Sequence, residues 1–416
     1  MRKLIYFVLA AVIFVACGED DFGYNSKQEV VNPYAVTPEE AVQILQSVIG
    51  GETTRSISVS DIQTLNKSAF VSTTRSGADE EAIYIVDIEG KGSAIMSADK
   101  RMEPIYAIFD KTKLSAEKLV GVTTRSASND GNPEDYILGL LNSAIQRDIQ
   151  TMRQRALPEL PIIPRDELWE EKTVYKYKAP MLNTEWDQDH PFNKLYECIP
   201  GSEIKYPAGC GPIALAQVLY YNRFPSSING VAFDWNLIAR HEKGQINAPI
   251  VADNEVAKLV YQIKQWTGTY PIVRTDENGQ PKYEMATDMP NVQVFMRLNG
   301  YSDATLGDYS LEEVIDMVYY KQLPVLVSGV DHYDHTKGHA WVIDGCNIYK
   351  IDVWCRHYNS DFTFTEYLFN SFDYEFVHCN FGWLDGEYNG EIHSGVFYTP
   401  KGYYDTQLKL VTYSLN

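Results

Sequence analysis

The sequence predicts an α+β protein, with a helical segment set against an antiparallel sheet and a smaller α+β unit ahead of both. Three observations carry this. Capped segments with apolar residues at helical spacing recur at 37–48 and again between 212 and 321. Short apolar runs of strand length crowd the C-terminal part. Between the N-terminal unit and the rest of the chain, Leu157-Pro158-Glu159-Leu160-Pro161-Ile162-Ile163-Pro164 forbids helix and reads as an extended divider. A chain of 416 residues is too long for one core, so two domains with flanking segments are expected.

The first segment, 1–17, reads as an address. Arg2 and Lys3 precede an apolar run from Leu4 to Val15 that is too short to span a bilayer. Phe14-Val15-Ala16-Cys17 then places small residues ahead of a cysteine, as in a bacterial lipoprotein signal. Cleavage before Cys17 and acylation of its thiol would leave the protein anchored to a membrane by lipid, outside the cytoplasm. It would be an outer-membrane or cell-surface lipoprotein, or be released from there by later processing. A plain secretory peptide with a coincidental cysteine is the alternative. Residues 18–36, opening on Gly18-Glu19-Asp20-Asp21, lack an apolar period and read as a tether.

Order is expected from 37 to 155. Thr37-Pro38-Glu39-Glu40 supplies an N-cap, a proline at the first helical position and a glutamate three residues on, a capping box for a helix through about Val48. Ala41, Ile44, Leu45 and Val48 give it one apolar face. Ala82 to Ile88, the turn Glu89-Gly90-Lys91-Gly92 and Ser93 to Ser97 read as a hairpin, with Ile105 to Phe109 as a further strand. Asn132-Pro133-Glu134-Asp135 caps a second helix to about Arg155. The linker, 156–170, lies among Arg155, Arg165 and Lys172 and is the expected place of a maturation cut, although an ordinary linker has the same composition. Thr-Thr-Arg-Ser occurs at 53–56, 73–76 and 123–126, in polar segments that read as solvated loops.

In the remaining part, 171–416, helices are expected at Pro212 to Tyr221, Glu255 to Trp266, Asn291 to Leu298 and Leu311 to Lys321, the last behind a Ser310-to-Glu313 capping box. Strands are expected at Val325 to Val330, Ala340 to Cys346, Phe376 to Phe381 and Val396 to Thr399, as neighbours in one antiparallel sheet.

Two segments carry chemistry. Gly209-Cys210-Gly211-Pro212-Ile213-Ala214-Leu215-Ala216-Gln217 sets a cysteine between glycines at a helix start, where backbone N–H groups and the helix dipole favour thiolate. Gly338-His339-Ala340-Trp341-Val342-Ile343-Asp344-Gly345 opens a buried strand on a histidine, 129 residues beyond the cysteine. Alone, the first reads as a small core residue and the second as a structural histidine. Together, in that order and at that distance, they fit the cysteine–histidine arrangement of thiol proteases. Trp186-Asp187-Gln188-Asp189-His190-Pro191-Phe192-Asn193 lies just upstream of the cysteine, and Val377-His378-Cys379-Asn380-Phe381-Gly382-Trp383 well beyond the histidine.

These four segments, with Tyr220-Tyr221-Asn222-Arg223-Phe224-Pro225, resemble streptopain and its relatives, the secreted C10 papain-like cysteine proteases. The resemblance covers about 171 to 416 as a catalytic domain and, more loosely, 30 to 120 as a propeptide. It implies a papain-like layout, a helical half facing a sheet half across a cleft. It implies that Cys210 is the nucleophile, His339 the general base and acid, and Gln188 an oxyanion donor. Asn380 would fix the histidine tautomer or cap a turn, and Trp383 would shield the histidine. The chain departs from the family's Asn-Trp-Gly-Trp by placing Phe381 at the first indole. The implied function is a cysteine endopeptidase made as a zymogen, acting on proteins or peptides and inhibited by its own propeptide. A catalytically weak or inactive papain-fold surface lipoprotein that binds host or partner proteins, and another Cys–His acyl transferase or amidase, are the alternatives.

The net charge of −20, without a local Lys/Arg cluster, argues against nucleic acid as a partner. No cofactor is expected. Asp331-His332-Tyr333-Asp334-His335-Thr336-Lys337-Gly338-His339 is rich in metal-ligating types, but no strand or helix period gathers them on one face, so it reads as a loop bordering the cleft without a metal. Asp344 reads as a turn residue after the strand. Besides Cys17 and Cys210, Cys198, Cys346, Cys355 and Cys379 allow three disulfide pairings, or buried free thiols.

Overall fold

The computed structural model describes Asn32, residues 34–49, 57–71, 80–109, 112–121, 133–151, 167–242, 249–275, 279–332, 334–359, Asp361, and residues 363–383, 389–395, 397–399 and 402–415. The signal segment with Cys17, most of the tether, the three Thr-Thr-Arg-Ser copies and the proline-rich stretch lie outside the described residues. Pro33–Asn416 forms one compact unit.

The N-terminal part begins with α1 (Pro38–Ile49), whose capping box is complete. The Glu40 N–H reaches Thr37 Oγ1 at 3.2 Å, and the Thr37 N–H reaches Glu40 Oε2 at 2.8 Å. Strands β1 (Val59–Asn66), β2 (Glu81–Ile88), β3 (Ser93–Ser97) and β4 (Ile105–Ile108) form an antiparallel sheet in that order. Helices α2 (Ala116–Gly121) and α3 (Pro133–Thr151) follow. The end of the expected tether is already docked: Ala35 bridges Asp99, and the Arg101 guanidinium lies 4.0 Å over the Tyr34 ring.

β5 (Glu167–Lys178) starts inside the expected linker, so residues 167–170 are strand. Its alternation of Lys, Glu and Thr with half-buried aromatics is that of a sheet edge, which is why it carries no continuous apolar run. Then come α4 (Cys210–Asn222), the short pair β6 (Ser227–Ile228) and β7 (Val231–Ala232), α5 (Trp235–Ile238), and α6 (Ile250–Thr267). The hairpin β8 (Tyr270–Thr275) and β9 (Pro281–Ala286) leads to α7 (Met289–Leu298), β10 (Thr305–Asp308) and α8 (Leu311–Ile315). The helix expected to run to Lys321 changes at Asp316 to a π turn through Tyr320, and Ser310 makes no side-chain capping bond.

The sheet follows: β11 (Val325–Asp331), β12 (Gly338–Tyr358), β13 (Phe364–Asn380), β14 (Gly390–His393), β15 (Phe397–Thr399) and β16 (Gly402–Thr412). Its order is β10-β16-β11-β12-β13-β14, all antiparallel, with β15 on β16 and β5 on β12. β12 is three times the expected length. Its first residues pair with β11, and from Cys346 onward it pairs with β5 instead.

Two cores matter for the site. One joins α4, α6 and α7 to β11, β12 and β16, so helices and sheet share an apolar interior. The other joins Val36, Leu45, Val48 and strands of the N-terminal sheet to Tyr349, Ile351, Tyr374 and Phe376 on the far part of β12 and β13. The N-terminal part therefore does not stand apart from the main sheet. α3 also packs against β15 and β16.

Candidate active site

Cys210 opens α4, a helix whose residues Gly211 to Tyr220 are all buried. Apolar side chains on every face let the helix run through the core, with Pro212 tolerated in the first turn because no intrahelical N–H is needed there. The thiol is partly buried and meets the β12 backbone, where the Ala340 N–H reaches it. Burial raises the pKa of Cys210, and the N–H groups of Ala340, Gly211 and Cys210 itself only partly oppose this. The helix start alone was expected to favour thiolate. Desolvation outweighs it here and shifts the balance toward the thiol.

His339 is the residue before Ala340, paired with Gly329 in the β11–β12 ladder and buried. The two expected catalytic residues therefore sit on either side of one contact between α4 and β12. The His339 Nε2 lies 2.9 Å from the carbonyl oxygen of Phe381. A carbonyl only accepts, so Nε2 carries the proton, and in the neutral ring Nδ1 is the basic nitrogen. The imidazole lies in an aromatic enclosure. Trp383 stacks at 4.3 Å between centroids, Tyr404 at 5.5 Å, Phe381 at 6.0 Å and Trp341 at 6.2 Å. The phenyl ring of Phe381 thus occupies a face of the histidine surroundings.

Asn380 is placed differently from a tautomer-fixing amide. Its Oδ1 accepts the Gly382 N–H at 3.1 Å, capping the turn, and its Nδ2 donates to the Thr184 carbonyl at 2.8 Å. The main chain one residue later holds the histidine instead. Gln188 sits beside the loop that leads into Cys210, with its carbonyl accepting the Ala208 N–H at 2.6 Å, two residues ahead of Cys210. Its side chain is half-buried.

The hairpin β8–β9 flanks the same loop. Glu284 accepts from Arg274 Nε and Lys282 Nζ, each at 2.8 Å. Burial pushes the Glu284 carboxyl up, but these two cations together hold it below the usual range. Arg274 Nη1 also donates to Thr336 Oγ1 at 2.9 Å, joining the hairpin to the loop before His339. In that loop His332 Nδ1 pairs with Asp405 at 2.9 Å, and the Asp331 carboxylate accepts the Asp334 N–H. Among the described residues no group of three or more His, Cys, Asp or Glu is arranged to hold a metal.

Cys198, Cys210, Cys346 and Cys379 are free; Cys346, Cys355 and Cys379 are buried and Cys198 is exposed. Asp344, expected as a turn residue after the strand, lies inside β12 with no exposure, and its Oδ1 is 2.6 Å from His378 Nδ1. Sequence reasoning also passed over Tyr404, Thr184 and Gln217. The Thr184 hydroxyl donates to Gln217 Oε1 within the core. Gln217 and His378 did leave a signal, since each is a lone polar side chain in an otherwise apolar segment and must find a partner. Tyr404 left none, because the aromatic stack forms only when β16 is laid beside β11.

The model of the peptidase C10 family matches residues 186–390. No curated protein matches the chain. Among solved structures, active wild-type interpain A cysteine protease of Prevotella intermedia is 21% identical, with a TM-score of 0.42, covering 57% of this chain and 95% of that one. A prointerpain A fragment of the same organism, solved as a mutant, is 17% identical, with a TM-score of 0.46, covering 85% of this chain and 98% of that one.

Proposed function

The chain belongs, over residues 186–390, to the peptidase C10 family and is a cysteine peptidase; from that premise we propose that it is an extracytoplasmic endopeptidase acting through Cys210 and His339. One observation carries the reading: the Cys210 thiol, at the head of a buried helix, meets the β12 backbone at the residue next to a histidine whose Nε2 proton is fixed by a main-chain carbonyl. In the proposed reaction His339 Nδ1 takes the thiol proton as sulfur bonds to the scissile carbonyl carbon. It then delivers that proton to the departing amine, and water hydrolyses the thioester with the same imidazole as base. The side-chain amide of Gln188 and a backbone N–H at Cys210 receive the developing oxyanion, with a typical worth of about 3 kcal/mol per donor.

Latency belongs to the same reading. The shared core between the N-terminal part and β12–β13 supports a zymogen in which residues 37–155 hold the enzyme inactive until the 156–170 segment is cut. Lipidation at Cys17 is proposed from the sequence, and Cys17→Ala is expected to release the protein from the membrane fraction. The decisive experiment is labelling with an epoxide inhibitor of cysteine proteases. Processed protein should be labelled at Cys210 and cleave a peptide library, whereas uncleaved protein and Cys210→Ala should do neither. Correctly processed protein that stays unlabelled is not a thiol enzyme.

A further inference from the structure

Residues 181–188 run from the end of β5 to Gln188, and three separate attachments fix their course. At the start, Asp344 Oδ2 accepts the Leu182 N–H at 2.7 Å and the Asp344 carbonyl accepts the Met181 N–H at 3.1 Å. In the middle, Thr184 is bonded by its carbonyl to Asn380 and by its hydroxyl to Gln217, the latter two turns along the Cys210 helix. At the end, the Gln188 carbonyl takes the Ala208 N–H. The first attachment has the costliest construction. Asp344 is fully buried, and its other oxygen is taken by His378 Nδ1 at 2.6 Å.

The backbone around the pair is shaped for this purpose. In the β12–β13 ladder Ile343 faces Cys379 and Gly345 faces His378, so Asp344 is the extra residue of a bulge. A Cβ on Gly345 would lie 2.9 Å from His378 Cβ, 3.0 Å from the Lys178 carbonyl oxygen and 3.2 Å from the Pro180 nitrogen. Glycine there lets the end of β5 approach closely enough for Leu182 to reach the carboxylate. A buried carboxylate–imidazole pair gains little stability over apolar residues of the same volume, so its presence calls for a use other than stability.

We propose that the buried Asp344–His378 pair is a positioning device for the oxyanion side of the site, holding the 181–188 segment so that Gln188 keeps its place beside Cys210. The proposal rests on the roles given above to Cys210, His339 and Gln188. His378 donates its Nδ1 proton to one carboxylate oxygen, which leaves the other directed at Leu182. Asp344 and His378 touch no substrate atom in this scheme; they act through the segment that Asp344 holds.

The test is a double-mutant cycle on processed enzyme, prepared from the full-length chain. Asp344→Asn offers one acceptor oxygen where two donors need one each. It is expected to lower kcat about 10- to 100-fold with KM within about twofold, because an oxyanion contact acts in the transition state. Gln188→Ala is expected to lower kcat by about 10²–10³. The double variant should be within about threefold of Gln188→Ala alone, since a displaced segment without its amide has nothing further to lose. Should Asp344→Asn fail to fold, His378→Asn, which keeps a donor near Nδ1, should retain kcat within about threefold. His378→Ala should lose about tenfold, and that loss should vanish in the Gln188→Ala background. Losses that multiply in either cycle, or a wild-type kcat for Gln188→Ala, overturn the proposal. Epoxide labelling separates the levels: wild type unlabelled at Cys210 removes the enzyme reading and this proposal with it, while labelled variants with multiplying losses remove this proposal alone.

Discussion

Two helices of this chain begin in opposite ways. At α1, Thr37 and Glu40 exchange side-chain bonds with each other's backbone N–H, so the helix satisfies its own end and buries only one face through Ala41, Leu45 and Val48. At α4, Gly209 takes the N-cap position at φ 91° and offers no side chain, while the body of the helix is buried all round. The free donors of the first turn are left to the Cys210 sulfur and to whatever anion arrives there. A helix that only has to be stable caps itself; the helix that carries the proposed nucleophile leaves its end open and draws its stability from burial.

Removing the group that the open end serves should have the largest effect. Cys210→Ser or His339→Ala is expected to lower peptide hydrolysis by about 10⁴-fold or more, with unchanged circular dichroism and a melting temperature near wild type. Residual hydrolysis within about tenfold of wild type in either variant would dissolve the contrast, because α4 would then be only a second structural helix.

The open end itself can be closed. Gly209 lies at a positive φ that L side chains rarely adopt, and a Cβ there would fall 3.0 Å from Met285 Cβ on β9. Gly209→Ala should therefore shift the loop before Cys210, and a displacement approaching 1 Å costs on the order of 10²-fold in rate. Single-turnover hydrolysis and the rate of epoxide labelling should fall together. A normal rate with lowered stability would mean that the glycine serves packing alone.

What was legible in the sequence divides along the same line. The α1 cap, the first hairpin, the α4 and α7 helices and the Cys210 and His339 segments are local: each is written in a cap, a turn or a period of a few residues. β5, β16 and the far half of β12 were missed because their strands are half-exposed and amphipathic only relative to partners distant in sequence. The placement of the site residues shows the same limit. Asn380 and Phe381 were both in view, but whether side chain or main chain meets His339 depends on how the turn after β13 folds over α4. Asp344 looked like a turn residue because a bulge in a long strand has the same local sequence.

The two parts of the chain also meet at a titrating contact. Glu170 on β5 borders a cavity of about 430 Å³ shared with Glu40 on α1, Lys100 and Lys172. Burial pushes the Glu170 carboxyl up to about 7, against the pull of Lys100 and with a further push from Glu40. A carboxyl with its folded pKa raised contributes stability that is fully present below about 4.5 and lost as pH rises through about 7. Lys172, lowered to about 8 by burial, acts with the opposite sign and only above that pH. The full-length chain should therefore lose melting temperature between pH 5 and pH 8, by a few degrees, and Glu170→Gln should flatten that slope. A slope unchanged in Glu170→Gln would place the titration elsewhere.

The smallest effect belongs to the self-sufficient helix. Thr37→Ala removes the acceptor for the Glu40 N–H, and with it half of the capping box. Loss of such a cap typically costs about 1 kcal/mol. The neighbouring contacts are largely independent of it, since Ala41, Leu45 and Val48 stay in the core shared with Tyr349 and Phe376. The cost should show in urea unfolding of the full-length chain as a lower midpoint with an unchanged slope. Peptide hydrolysis by enzyme processed from the variant should equal wild type, because α1 precedes the proposed cut. If Thr37→Ala instead changed kcat of the processed enzyme, α1 would remain part of the working molecule, and the division between a helix that is only stable and a helix that reacts would no longer follow from how each begins.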